Sequence, residues 1–149
     1  MPRYQTSRRA AHSAEDMFAL VAGVEHYPEF LPLCEATHVS GREFRDGREI
    51  IVADMTVAYK IIRETFTSRA VFDRDNLKID VDYLDGPFRH LENRWTFAPD
   101  GERACTVHFA IDYEFKTRAL GLVMGAMFDK AFRKFAEAFE ARADAVYGR

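Results

Sequence analysis

The fold of this protein is decided by residues 117–147, which read TRALGLVMGAMFDKAFRKFAEAFEARADAVY. Apolar residues recur in this stretch every three or four positions, the spacing that places side chains on one face of an α-helix. Charged residues such as Asp129, Arg133 and Glu137 fall on the opposite face. We therefore predict one long amphipathic helix that needs a broad apolar surface beneath it. Its apolar face holds Leu120, Met124, Phe128, Ala131, Phe132, Phe135, Ala138, Phe139 and Val146.

The first turns of this helix are apolar on all sides, because Leu122, Val123 and Ala126 lie on the face that is charged further along. Either another part of the chain covers this surface, or it forms a ligand mouth or a membrane-touching patch. The apolar run is only about ten residues long, which is too short to cross a bilayer. Gly121 and Gly125 each weaken a helix by about 1 kcal/mol relative to Ala, so we expect a backbone or a ligand to approach closely there.

Residues 35–115 change to the period of two that is typical of strands. Polar turn signals punctuate the segment, among them Asp46-Gly47, Asp75-Asn76 and Asp100-Gly101. Residues 2–9 add a candidate edge strand. The pattern predicts a curved antiparallel sheet of about six to seven strands with one wet face, covered on its apolar face by the C-terminal helix.

Two short helices are predicted between the edge strand and the rest of the sheet. Ser13 is a suitable N-cap, and Glu15 and Asp16 suit the positive end of the first helix, which Gly23 ends. Residues 24–30 form a second, shorter helical segment that is closed by prolines. The whole pattern predicts an α+β fold.

Composition excludes several functional classes. The 149 residues carry a net charge of −3 with both signs interspersed, so the sequence lacks the basic patch of a DNA-binding protein. Cys34 and Cys105 match no metal-binding spacing, and we predict reduced thiols, no metal and no cofactor. Residues 1–11 contain no apolar signal-peptide core. We predict one cytoplasmic domain spanning residues 1–149.

No catalytic residue is predicted. The sequence has no Gly-rich phosphate loop and no nucleophile elbow, and His90 and His108 fall on the outward phase of their strands. Buried polar groups need partners, so inward-facing polar residues either pair with one another near the sheet ends or contact the polar head of a ligand. The residues on that inward phase are Glu64, Ser68, Arg89 and Asn93.

Short motifs recur along nearly the whole chain. They are Val21-Ala22, Phe30-Leu31-Pro32, Arg63-Glu64-x-Phe66, Gly86-Pro87-Phe88, Leu91-x-Asn93-x-Trp95-x-Phe97, Val107-x-Phe109, Tyr113-Glu114-Phe115 and Ala138-Phe139-Glu140. Each motif is short, but in their order and spacing together they resemble the coenzyme Q-binding START-like family.

The resemblance implies a helix-grip (START-like) fold, in which a curved sheet wraps round the C-terminal helix and encloses an apolar tunnel. It also implies a non-catalytic carrier of ubiquinone or a similar prenyl lipid that supports respiration or quinone biosynthesis. Two alternatives stay open. One is a ribosome-associated regulator of the family's toxin branch, contacting a ribosomal subunit through the outer face of the sheet or through basic residues such as Lys130, Arg133 and Lys134. The other is a polyketide cyclase or aromatase.

A prenyl lipid needs an apolar tunnel, a few polar contacts and an entrance. We expect Glu64, Arg89 and Asn93 to contact the head group. A transient contact with the inner face of the membrane would let the tail pass without crossing water. The predicted tunnel residues are Phe30, Met55, Val57, Phe66, Leu91, Trp95, Phe109, Ile111, Met124, Phe128 and Phe132. The predicted entrance is formed by the turn at residues 58–60, including Tyr59, and by Pro87, Phe88, Leu122 and Val123.

Overall fold

A seven-stranded sheet and the long C-terminal helix form the two layers of the fold in this computed structural model, which describes residues 3–59 and 61–148. Pro2 and Lys60, which belong to the predicted edge strand and entrance turn, lie outside the described residues. The elements in chain order are β1 (Arg3–Ala10), α1 (Ala14–Ala22), a 3₁₀ helix (Val24–Glu29), β2 (Cys34–Arg45), β3 (Arg48–Tyr59), β4 (Ile62–Asp73), β5 (Lys78–Asp85), β6 (Phe88–Pro99), β7 (Cys105–Phe115) and α2 (Arg118–Tyr147).

Neighbouring strands of the sheet are all antiparallel, in the order β1-β7-β6-β5-β4-β3-β2. Strands β2 to β7 form a meander. Strand β1 pairs with β7, and Thr6 of β1 lies opposite Phe109 of β7. Strands β1 and β2 are therefore the two edges. The predicted antiparallel sheet and helix-grip arrangement are confirmed.

The hairpin between β2 and β3 follows directly from its Asp-Gly pair. Asp46 and Gly47 have φ values of 53° and 79°, and Arg45 pairs with Arg48. Two successive residues with positive φ give a tight turn whose twist matches that of the flanking strands. Asp and Gly tolerate this conformation because one has a short polar side chain and the other has no Cβ.

Both α-helices begin at side-chain caps. The Ser13 hydroxyl accepts a hydrogen bond from the Asp16 amide at 3.1 Å, and the Thr117 hydroxyl accepts one from the Leu120 amide at 3.1 Å. Each cap satisfies a backbone N–H that the first helical turn leaves without a partner. The sequence-predicted cap at Ser13 is therefore confirmed.

The buried face of α2 differs from the predicted one at both ends. Val146 is 53% exposed, whereas Met127 is buried although it was left off the apolar face. Met127 lies one turn before Ala131, so the buried face is wider at the N-terminal end of the helix than a single stripe. Ion pairs hold the C-terminal half, where Arg8 donates to both carboxylate oxygens of Glu140 at 2.8 and 3.0 Å.

The described part of the chain leaves the outer side of the first α2 turns uncovered. Leu122 is 80% exposed and Val123 is 59% exposed. No other described segment approaches the two glycines closely, because a Cβ at Gly125 would meet no described atom within 4 Å and one at Gly121 would lie 3.8 Å from Phe115. Close approach of a ligand at these glycines stays a prediction. Of the two alternatives for this surface, burial under another segment is the one that the structure contradicts.

Candidate functional site

An apolar cavity of about 110 Å³ lies between the inner face of the sheet and α2. Strands β3 to β7, the middle of α2 and residues 31–34 supply its walls. A cavity of about 150 Å³ in another protein interior binds benzene, so this one is somewhat smaller than a cavity that holds a single benzene ring. It is too small to enclose a whole prenyl tail. Its lining includes these predicted tunnel residues: Met55, Val57, Phe66, Leu91, Trp95, Ile111, Phe128 and Phe132.

Three predicted tunnel residues belong to the surrounding core instead. Phe30 packs edge-on against Phe139, with ring centroids 5.3 Å apart. Phe109 is 3% exposed and lies 4.5 Å from the Trp95 ring, on the side of β1. Met124 is 1% exposed but does not reach the cavity wall. Their strand or helix phase is inward, as predicted, yet the free space lies further along the sheet.

Of the predicted head-group contacts, only Asn93 lines the cavity. Arg89 is exposed, donates to the Lys116 carbonyl oxygen at 3.2 Å and points away from the interior. A β-bulge between Phe88 and His90 shifts the phase of β6, which is why the inward assignment of Arg89 is wrong. Glu64 is half-buried near the β3–β4 turn, outside the cavity lining.

Two polar atoms of the cavity lining are buried without a hydrogen-bond partner among the described residues, Ser68 Oγ and Asn93 Oδ1. Mutual pairing of the inward polar residues was one of the two sequence-based alternatives, and these two residues do not pair. Buried polar groups without partners are rare and usually mark a missing ligand or water. Both atoms are shielded from the free space of the cavity, whose accessible wall is largely apolar.

The predicted entrance at Pro87 and Phe88 is wrong. Both residues are buried, and Phe88 is 1% exposed. Its ring packs 4.9 Å from Phe115, 5.4 Å from Phe128 and 5.6 Å from Phe66. The same bulge that turns Arg89 outward turns Phe88 inward, where it becomes the centre of an aromatic cluster.

Tyr59 and Val123 line a surface groove of about 450 Å³ between the β3–β4 turn and α2. The groove also contains Ile61, which is fully exposed. Leu122 lies in a separate surface pocket with Lys116 and Arg118. The groove and the cavity share four lining residues, which together we call the neck: Pro32, Leu33, Met127 and Ala131.

Burial keeps two ionisable groups at the cavity wall, Cys34 and Tyr27, in their neutral forms. Burial raises the pKa of the Cys34 thiol to about 11, and it raises the pKa of the Tyr27 hydroxyl well above its ordinary value. The Tyr27 hydroxyl donates to the Val21 carbonyl oxygen, so it is already engaged. Within residues 3–59 and 61–148, no group of three or more His, Cys, Asp or Glu side chains is placed to hold a metal ion. The wall can therefore offer apolar surface and neutral hydrogen bonds.

Sequence reasoning missed part of the lining. Residues 31–34 reach the cavity because Leu33 adopts a left-handed conformation with φ of 67°, which no local sequence signal indicates. Met127 was detectable, since it lies four residues before Ala131 on the same helical face. Ser68 was identified as inward-facing but was not selected as a head-group contact.

A curved antiparallel sheet that grips one long helix around an apolar cavity defines a START-like domain. The chain belongs to the family described as polyketide cyclase / dehydrase and lipid transport, which matches residues 10–140. The resemblance to START-like proteins is therefore confirmed.

Three named relatives span most of the chain. The ribosome association toxin RatA of Escherichia coli (strain K12) is 33% identical over 147 residues, covering 99% of this chain and 90% of that protein. The RatA of Vibrio cholerae is 36% identical over 146 residues, covering 97% and 98%. The mitochondrial coenzyme Q-binding protein COQ10 homolog B of Xenopus laevis is 28% identical over 151 residues, covering 98% of this chain and 59% of that protein.

Solved structures share the same architecture. The solution structure of an 18 kDa protein from Caulobacter crescentus superposes with a TM-score of 0.81 at 32% identity and covers 100% of both chains. The crystal structure of the Zhui aromatase/cyclase from a Streptomyces species has a TM-score of 0.80 at 16% identity, covering 96% and 93%. At that identity the second likeness shows the fold alone. No helix among the described residues is long and apolar enough to span a membrane.

Proposed function

We propose that this protein binds the ring of a prenyl lipid, such as ubiquinone, in the cavity and lets the tail leave through the neck into the groove. The observation that carries the proposal is an apolar cavity of about 110 Å³ that shares the neck residues with a larger surface groove. Apolar walls hold the ring, and a few placed polar groups orient it.

The division between cavity and groove suits such a ligand. The cavity offers about 110 Å³, whereas the groove offers about 450 Å³ beside apolar side chains such as Ile62 and Ala126. Each buried CH₂ of a tail contributes about 0.8 kcal/mol to binding. A tail lying in an open groove also leaves the ligand exchangeable, which a carrier in respiration or quinone biosynthesis needs.

The mouth of the groove is suited to an anionic membrane surface. Exposed apolar side chains at Ile61 and Val123 can enter the headgroup region, and Lys130 and Lys134 line the same groove. A transient contact at the cytoplasmic face of the membrane would pass the tail directly between bilayer and groove.

We propose binding rather than catalysis. General acid–base chemistry needs a group that changes protonation near neutral pH. At the cavity wall, burial raises the pKa values of Cys34 and Tyr27. Both side chains therefore stay protonated near neutral pH. The likeness to an aromatase/cyclase is one of fold and carries no assignment of chemistry to this chain.

Organic extraction of the purified protein followed by mass spectrometry tests the proposal. We expect a prenyl quinone in the extract, and we expect the fluorescence of Trp95, the one tryptophan of the sequence, to fall when a short-tailed quinone is titrated in. Thr96→Ala, on the exposed side of β6, is the control variant, and we expect it to show the same fall in Trp95 fluorescence as the wild-type protein. Extracts without such a lipid and an unchanged Trp95 signal would reject quinone binding.

Ribosome association is the second candidate. It is favoured by relatives named for that property at 33% and 36% identity over nearly the whole chain, a stronger likeness than that to the coenzyme Q-binding relative. Of the three basic residues in the sequence-based hypothesis, Arg133 forms an ion pair with Asp129 at 3.0 Å. Lys130 and Lys134 are the exposed pair that remains.

Co-sedimentation with ribosomal subunits tests this candidate. We expect binding that weakens as salt is raised and that is reduced in Lys130→Glu/Lys134→Glu, because contacts to RNA phosphates release counterions. Arg3→Glu/Arg103→Glu, at two exposed arginines away from α2, serves as a charge-matched control. Absence of the protein from the ribosomal pellet at low salt would contradict ribosome association and leave quinone binding unaffected.

A further inference from the structure

One face of α2 carries two residues of the neck and all the charged side chains in the described lining of the groove. Side chains three or four positions apart lie together on a helix, so this face runs in order through Met127, Lys130, Ala131 and Lys134. Met127 and Ala131 are buried and line both the cavity and the groove. Lys130 and Lys134 are exposed and line the groove alone. The lining therefore changes from apolar at the neck to cationic at the rim.

The described part of the protein does not neutralise these two lysines. Within it, Lys130 and Lys134 form no ion pair, whereas their neighbour Arg133 is paired with Asp129 at 3.0 Å. Two like charges one helical turn apart repel each other, so an anion bound between them stabilises both. The whole chain carries a net charge of −3, so this positive patch is a local feature of the groove and not part of a general basic surface.

The space on the inner side of the neck suits a narrow apolar chain. The cavity of about 110 Å³ has aromatic side chains such as Trp95, Phe128 and Phe132 in its wall. A saturated alkyl chain has a smaller cross-section than a ring, and each CH₂ that it buries raises the affinity about fourfold. A charged head group has to stay outside the cavity, because burying an unpaired charge is costly. In the groove it stays hydrated and lies beside the two lysines.

We infer that the cavity and groove together also bind a long-chain carboxylic acid, with its alkyl chain through the neck and its carboxylate between Lys130 and Lys134. This ligand differs from the neutral prenyl lipid proposed above, and the two compete for the cavity. An exposed carboxylate–lysine pair contributes little by itself, so two such pairs should favour the acid over an uncharged alcohol of equal length by about fivefold at low salt. Screening should reduce this preference as salt is raised.

Titration calorimetry with decanoate, decanol and decyltrimethylammonium tests the preference for an anion. The three ligands share one chain and differ in head-group charge, and without vesicles in the buffer no membrane surface contributes to the signal. We expect affinity to fall in that order for the wild-type protein. Lys130→Met/Lys134→Met should bring decanoate to the affinity of decanol, whereas Lys130→Arg/Lys134→Arg should keep the preference. Arg3→Met/Arg103→Met removes the same charge away from α2 and should keep the wild-type order.

Quenching of tryptophan fluorescence by bromine, which requires contact, tests the orientation of the chain. Trp95 is the one tryptophan of the sequence and lines the cavity. We expect ω-bromodecanoate, brominated at the chain end, to quench Trp95 more strongly than α-bromodecanoate, brominated beside the carboxylate. Equal or reversed quenching, equal affinities of decanoate and decanol, or failure of decanoate to bind overturns the inference. The lipid found by organic extraction decides the proposed quinone binding separately.

Discussion

A Cβ atom placed on Gly86 would lie 2.6 Å from the Cβ of Phe66 and 3.0 Å from its Cα. Gly86 also has φ of 143°, a conformation that L side chains rarely adopt. The turn between β5 and β6 can therefore lie directly on β4. This contact sets Phe66 against Phe88, with ring centroids 5.6 Å apart, at the wall of the cavity.

Gly86→Ala should lower the free energy of unfolding by about 3 kcal/mol, because backbone strain and a clash with main-chain atoms act together. Urea denaturation measures the loss. Gly101→Ala is the matched control: Gly101 has φ of 83°, but a Cβ there meets nothing within 4 Å. We expect it to lose only about 1 kcal/mol. Equal losses in the two variants would mean that the contact with Phe66 is not tight.

Cys34 should make stability depend on pH in the alkaline range. Burial raises its pKa from 9.0 to about 11. The native state holds the thiol proton more tightly than the unfolded chain does, so this contribution is complete below pH 9 and is lost as the pH rises to about 11. We expect the urea midpoint to fall over that range.

Cys34→Ala separates this effect from that of Tyr27, whose pKa burial also raises. We expect the variant to show a shallower fall in urea midpoint between pH 9 and about 11, while Tyr27 continues to contribute in both proteins. In the wild-type protein, we expect iodoacetamide to alkylate Cys34 slowly in the native state and fast in urea. Identical pH profiles of the two proteins would show that the thiol is not desolvated.

Filling the neck should separate the binding of the tail from the binding of the ring. Ala131 is 5% exposed and lines both cavity and groove. We expect Ala131→Phe to weaken a long-tailed quinone more than tenfold and a tailless quinone much less, because the tail can no longer pass the neck. Overpacking should also lower stability by about 1 to 3 kcal/mol, which circular dichroism monitors.

Ala141→Phe supplies the control for the neck, since Ala141 is exposed on α2 and lines neither the groove nor the cavity. It should leave both affinities close to the wild-type values. Phe109 and Met124 lie away from the cavity, so Ala131 gives the sharper test. An equal loss of affinity for tailed and tailless ligands would contradict the route through the neck.

The groove mouth should determine binding to lipid vesicles. We expect the protein to co-sediment with vesicles containing phosphatidylserine, less so at high salt, and Ile61→Glu/Val123→Glu to abolish it. Phe44→Glu is the control, because Phe44 is 76% exposed beside the β2–β3 turn, at the opposite end of β3. If Phe44→Glu reduced vesicle binding as much as the double variant, the contact would not lie at the groove.

Elements with regular periodicity were predictable from the sequence, and local exceptions were not. Alternation identified the strands and the caps identified the helix starts, because both depend on nearby residues. The bulge beside Phe88 depends on contacts between distant strands, and it reversed the assignments of Phe88 and Arg89. The left-handed Leu33 likewise brings residues 31–34 to the cavity without a local signal. Cavity walls could therefore be predicted residue by residue only where strand phase continued unbroken.

Strand β2 has a free edge, and its far end carries Arg42, Glu43 and Arg45, all exposed. Arg42 forms ion pairs with Glu49 and Glu25, and Arg45 lies 3.4 Å from Glu43. An unpaired strand can recruit the strand of a neighbouring molecule and start fibrous aggregation, and clustered charges oppose that addition. The charged end of β2 therefore opposes polymerisation at this edge of the sheet, where β2 pairs only with β3.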